Sequence, residues 1–131
     1  MRSKRISLKL DSRLARQIKM VAQAEGRSWR EQAEWFLEAF ADAAEELDSR
    51  PISRKCPKNL RQDAQRSLFP PFNLYQRLKA FSETERLTLV ELVRQMLWVG
   101  VETRQEINLP GIRKEVFQKQ YLKGVSPCLR K

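Results

Sequence analysis

Residues 5–10 read Arg5, Ile6, Ser7, Leu8, Lys9, Leu10, with an apolar side chain at every second place. That period of two is the signature of a strand with one buried face, formed by Ile6, Leu8 and Leu10. Six residues of isolated strand do not hold together in water, so the segment requires a partner strand. Immediately after it the period changes. Asp11 or Ser12 supplies an N-cap, and Leu14, Ile18, Val21 and Ala22 form the apolar stripe of a helix. The stripe ends at Glu25-Gly26, where glycine suits the left-handed position past a helix end. Ser28, Trp29, Arg30 and Glu31 then make a capping box. The second helix carries Trp29, Ala33, Phe36, Leu37, Phe40 and Ala41 on one face and fades in the acidic run from Ala43 to Asp48.

The same pattern recurs downstream. Thr88, Leu89, Val90 and Glu91 form a second capping box, 60 residues after the first. At that displacement Ser7 meets Ser67, Leu8 meets Leu68, Leu14 meets Leu74, Ile18 meets Leu78, Phe36 meets Met96 and Leu37 meets Leu97. Two boxes and two stripes in one ungapped register point to an internal duplication. The second copy is degenerate at its strand, Gln65 to Pro70. Arg66 and Pro70 stand where Ile6 and Leu10 stood, and proline has no amide for a ladder. The chain therefore divides into a first unit over 1–48, a basic linker over 49–64, a second helix-helix unit over 65–102 and a basic tail over 103–131. Within that tail, Leu109-Pro110-Gly111 is a turn, and a short helix is expected over 112–122. The fold class expected is mainly α with one short β-strand.

Charge is segregated along the 131 residues, which hold 26 Lys and Arg against 16 acids, a net charge of +10. Residues 1–30 carry nine bases and two acids, whereas residues 31–49 carry seven acids and no base. A charge kept only for solubility would be spread evenly, so a polyanion site near the N-terminus is favoured. The six bases of 50–66 read as a solvated linker that adds general affinity. Cys56 and Cys128 are far apart, with no His in the chain, and are expected as free thiols rather than a metal site, a disulfide being the alternative. No apolar run approaches the ~20 residues of a membrane span, and the basic start lacks the apolar stretch of a signal peptide, so a cytoplasmic protein is expected. An enzyme is not expected. There is no Gly-rich phosphate loop and no nucleophile beside a base, and neither a metal nor a cofactor is implied.

Arg5-Ile6-Ser7-Leu8-Lys9, then Leu14, Ile18 and Val21, then Ala24-Glu25-Gly26-Arg27-Ser28 together resemble the ribbon-helix-helix DNA-binding proteins of the Arc and methionine repressor type. The resemblance covers 4–44 well and 65–101 more loosely. It implies that two units pair their strands into a ribbon whose outward side chains read bases in the major groove of double-stranded DNA. Carried onto this chain, the readers are Arg5, Ser7 and Lys9. Ser28, Trp29 and Arg30, at the start of the second helix, would hold a phosphate, with Arg2 and Lys4 as a flexible arm along the backbone. Gln65, Ser67 and Thr88 are the matching candidates of the second unit. The residue chemistry agrees: Arg and Lys donate to guanine, Ser donates or accepts, and free amides at a helix start attract anions.

Each of these residues also has a plainer reading. A basic strand face blunts an exposed edge, Ser28 is a cap in any case, and Trp29 serves equally as a hydrophobic anchor. The better-formed first strand favours a homodimer joined through residues 5–10 of each chain, with Ile6, Leu8, Leu10, Phe36 and Leu37 in the interface and core. A single-chain pseudo-dimer, pairing 5–10 with 64–69, is the alternative. The function expected is that of a transcriptional repressor or regulator associated with the nucleoid. The tandem arrangement is also similar to family members that mark transfer origins on conjugative plasmids. A small interaction subunit of a larger nucleoprotein complex is the reading from a different class.

Overall fold

The computed structural model describes residues 5–47, 61–107 and 111–119. Strand β1, Ile6–Leu10, buries Ile6, Leu8 and Leu10 and turns Ser7 and Lys9 outward, as its alternation dictates. Asp11 caps helix α1, Ser12–Glu25, by accepting from the Arg13 amide at 2.8 Å. The helix buries Leu14, Ala15, Ile18 and Ala22 and stops at Gly26, whose φ of 69° is left-handed. That turn lets the Arg27 amide reach the Ala22 carbonyl at 2.9 Å, satisfying an otherwise orphaned acceptor. Helix α2, Trp29–Leu47, follows, with Ala33, Phe36, Leu37, Phe40 and Ala41 buried.

The second half repeats this order as β2, Ala64–Leu68, α3, Phe72–Glu85, and α4, Leu89–Ile107. Helices α3 and α4 have the lengths of α1 and α2, 14 and 19 residues, and start 60 positions later. The chain is thus mainly helical with two strands, not one. Helix α4 also runs past residue 102, burying Thr103 and Arg104. A further helical stretch, α5, spans 114–119. Its Phe117 is buried against Trp35 and Phe36, at ring-centroid distances of 4.9 and 5.6 Å.

β1 pairs antiparallel with β2 of the same chain, in the register Ile6 to Leu68, Ser7 to Ser67, Leu8 to Arg66, Lys9 to Gln65 and Leu10 to Ala64. This corrects the expectation of a homodimer joined through residues 5–10, because the pairing edge of β1 is taken within the chain. The register removes the two objections to β2. Pro70 falls beyond the ladder, so no amide is asked of it. Arg66 lies in the row of Leu8 but stays exposed, with its guanidinium 5.4 Å from the ring centre of Trp29. Ile6, Leu8, Leu10 and Leu68 then close one hydrophobic core with all four long helices. Burying each such side chain contributes about 1.5–3 kcal/mol.

The units are interlocked. Each strand rests on the second helix of the other unit, β1 on α4 and β2 on α2. Arg94 of α4 donates to the Lys9 carbonyl at 3.2 Å, and Glu34 of α2 accepts from the Phe69 amide at 2.9 Å. At the crossing of α2 and α4, Gly100 lies so close to Phe36 that an added Cβ would stand 2.8 Å from the ring. Ion pairs also span the units: Arg104 to the buried Glu25 at 2.5 Å, and Arg77 to Asp42 and Glu45 at 2.6 and 2.9 Å. None of these polar pairs has an identical counterpart 60 residues away, because position 34 is Glu where 94 is Arg, and 44 is Ala where 104 is Arg. Such contacts favour joining two unlike halves over two like ones.

Candidate nucleic-acid interface

Because β1 buries Ile6, Leu8 and Leu10, its other face is committed to solvent. Arg5, Ser7 and Lys9 are exposed there, beside Gln65, exposed, and Ser67, half-buried. The antiparallel register puts equivalent residues in a twofold-like relation about the Ser7–Ser67 pair. Lys9 and Gln65 stand opposite each other at one end of the ribbon. One residue beyond the Ile6–Leu68 pair, Arg5 and Phe69 occupy the other end. Arg5 donates from Nε to the Ser67 hydroxyl at 3.3 Å, which holds the guanidinium across the ribbon rather than away from it.

A helix start flanks each end. At the Phe69 end is α2, whose Arg30 sits 4.7 Å over the Phe69 ring. The capping box forms as its spacing requires: the Glu31 amide donates to Ser28 Oγ at 3.1 Å, and the Ser28 amide to Glu31 Oε1 at 2.9 Å. Hydrogen bonding from Ser28 holds the Glu31 carboxyl below its ordinary range. The amides of Trp29 and Arg30, in the first turn, have no intrahelical acceptor. At the Lys9 end is α4, whose Val90 and Arg94 line a shallow groove with Ser7, Lys9 and Gln65. There Thr88 Oγ accepts from the Glu91 amide at 3.1 Å.

The start of α1 is differently occupied. Asp11 binds Arg13 through both carboxylate oxygens and also accepts from the Arg61 amide at 3.1 Å. The Arg13 hydrogen bond holds the Asp11 carboxyl well below the usual carboxylate range, against the opposing effect of burial. Asp63 accepts from the Ser12 amide at 2.8 Å, so carboxylates already fill that helix end.

Of the residues singled out from sequence, Arg5, Ser7, Lys9, Gln65 and Ser67 come together on one face, with Ser28, Arg30 and Thr88 at its two ends. Trp29 does not belong with them as a side chain. Its indole N–H donates to the Ala15 carbonyl at 2.9 Å and its ring carries Arg66, so it anchors α2 on α1. Ile6, Leu8, Leu10, Phe36 and Leu37 are interior to the chain itself. Arg2, Lys4, Cys56, Cys128 and most of the basic linker lie outside the described residues. Two members of this surface were missed, Phe69 and Arg94. Both were open to discovery through the 60-residue displacement, which makes Phe69 the counterpart of Lys9 and Arg94 that of Glu34.

No family model, curated protein or solved structure matches this chain. Among the described residues, no group of three or more Cys, Asp or Glu could hold a metal ion, and no helix is long and apolar enough to cross a membrane.

Proposed function

We propose that this chain binds double-stranded DNA through the outward face of its two-stranded ribbon and acts as a transcriptional repressor or regulator. The observation that carries this reading is one exposed surface bearing Arg5, Ser7, Lys9, Gln65 and Ser67, with a capped helix start at each end. Two strands span about 4.8 Å between axes, and a ribbon of that width fits a major groove about 12 Å across. Arg5 and Lys9 donate to O6 and N7 of guanine, Gln65 pairs with the N6 and N7 edge of adenine, and the serines serve either role. The first turns of α2 and α4 receive phosphates on either side, with Arg30 adding charge at one of them. The chain's net charge of +10 supplies the general attraction. In this reading the protein is a single-chain member of the ribbon-helix-helix type, its two units taking the places of two subunits.

Selection from random duplexes, followed by titration at ~150 mM salt, tests the proposal, because nonspecific electrostatic binding fades steeply there. Alanine at Arg5 or Lys9 is expected to cost ~1–3 kcal/mol on the selected duplex and much less on random duplex. Equal losses on both would reduce these residues to phosphate contacts. A chain that selects no sequence at all would sink the reading.

A further inference from the structure

The two strands of the ribbon carry different side chains at equivalent places. From the chemistry at the two ends we infer that the chain recognises a non-palindromic duplex, one chain per site, bound in a single orientation. This rests on the DNA-binding reading above and says which class of DNA satisfies it.

The register supplies the geometry. Two copies of β1 paired in this way would put an arginine and a lysine at each end of the ribbon, and the two ends would be alike. Here one end presents Arg5 with Phe69, and the other presents Lys9 with Gln65. Only the centre, Ser7 opposite Ser67, is symmetric. Phe69 is an exposed large hydrophobic residue, 38% accessible, at the position where the first unit has Lys9. Arg30 stacks on its ring and the Phe69 amide is fixed by Glu34, so the ring is held at the ribbon end. An aromatic edge there contacts the 5-methyl group of thymine, and Arg5 beside it takes guanine. At the other end Gln65 is suited to adenine and Lys9 to guanine. The flanks are unlike in the same sense. α2 begins Ser28-Trp29-Arg30 and α4 begins Thr88-Leu89-Val90, so the cation in the first turn is present only at the Phe69 end.

Three consequences follow for one duplex. The half facing Arg5 and Phe69 contains guanine and thymine, and the half facing Lys9 and Gln65 contains guanine and adenine on the contacted edges. Joining either half to an inverted copy of itself sets one end of the ribbon against the wrong bases. Reversing the whole duplex does so at both ends.

The test is selection from random duplexes with the full chain and with the double variant Gln65→Arg, Phe69→Lys, which gives both strands one outward set. Sedimentation of the complexes fixes the stretch covered by one chain, and symmetry is scored within it. The natural chain is expected to select a sequence without twofold symmetry. It should bind the two inverted-repeat derivatives roughly tenfold or more weakly, the loss of one good base contact. The double variant is expected to select a palindrome. Both substituted side chains are exposed, and a thermal melt confirms that the variant is folded. Should it melt early, Gln65→Arg alone must move the selected bases at the Lys9 end only. A palindrome selected by the natural chain overturns the inference and leaves DNA binding intact, as does a variant that selects the natural sequence unchanged. Absence of any selection by either protein removes the DNA-binding reading and this inference with it.

Discussion

The first strand-helix-helix unit and the second share a backbone plan and the hydroxyl cap of the second helix, and differ in the first helix cap, the residue at the helix stop and the packing at the crossing. α1 is capped by the Asp11 side chain, whereas α3 begins after Pro71 with no side-chain cap. α1 ends on Gly26 and α3 on Arg86, both left-handed, with φ of 69° and 58°. At the helix crossing, Phe36 of the first unit fills space that Gly100 of the second leaves open. The lesson is that a duplicated plan held in one chain no longer needs self-complementary halves. Each half can specialise against the other, a bulky residue against a glycine, an acid against an amide, a base against a carbonyl.

Breaking the aromatic contact should give the largest effect. Phe36→Ala opens a cavity where α2 meets Gly100, Trp35 and Phe117, and is expected to cost ~3–5 kcal/mol in a denaturant melt. The counterpart Met96→Ala, also at a fully buried site, is expected to cost less, because methionine leaves a smaller cavity than phenylalanine and its flexible thioether is less specifically packed. Equal losses would mean that the crossing is symmetric in energy though not in shape. The converse change, Gly100→Ala, forces a Cβ to 2.8 Å from Phe36 and should cost ~1–3 kcal/mol by overpacking. That penalty should shrink in a Phe36→Leu background, which a double-mutant cycle reads directly.

These contacts also mark where the sequence was readable. Both capping boxes, both helix pairs and the left-handed stop at Gly26 are local signals, spelled by neighbours within one or two turns. The outward set of Arg5, Ser7 and Lys9 follows from period two alone. The partner of β1 is a different matter. It depends on residues far apart in the chain: Ile6 pairs with Leu68, and Arg94 reaches the Lys9 carbonyl 85 positions away. The weakness of β2 as a sequence was real, but its remedy lies in tertiary structure, since Arg66 finds Trp29 and Pro70 falls outside the ladder. The acidic run of α2 looked like a fading helix end. Its Glu45 instead belongs to a docking face that begins earlier in α2, with Asp42 and Glu45 on Arg77 and Glu38 on Lys114.

The cap asymmetry gives a smaller effect with a pH signature. Asp11→Ala removes the α1 cap and the acceptor of the Arg61 amide, and is expected to cost ~1–2 kcal/mol near neutral pH. Because Asp11 is held below its ordinary range, it binds protons less readily folded than unfolded. Its stabilisation is therefore complete above the ordinary aspartate value of about 3.9 and is lost as pH falls below it. Melts between neutrality and pH ~2 should show this decline in the natural chain and a shallower one in Asp11→Asn. No matching change is expected from Pro71→Ala. A pH dependence untouched by Asp11→Asn would place the acid sensitivity elsewhere in the chain.

The helix stops offer the finest comparison, because one geometry is built from two residues. At the first stop the Gly26 amide donates to Gln23 and the Arg27 amide to Ala22, at 3.4 and 2.9 Å. At the second, Arg86 and Leu87 donate to Glu83 and Ser82 at 3.3 and 2.9 Å. The bonds match, so the backbone strain is what differs. A left-handed conformation costs an L-residue roughly 1–2 kcal/mol, and glycine escapes that cost while losing about 0.5–1 kcal/mol of extra freedom on folding. Arg86→Gly should therefore stabilise by about 0.5–1 kcal/mol. Gly26→Ala, which meets nothing within 4 Å, should destabilise by a similar amount through the backbone alone. Opposite signs in paired denaturant melts would show that the second unit tolerates strain the first avoids. If both changes destabilise, the Arg86 side chain must make a compensating contribution of its own, and the two stops are equivalent in conformation but not in how they are held.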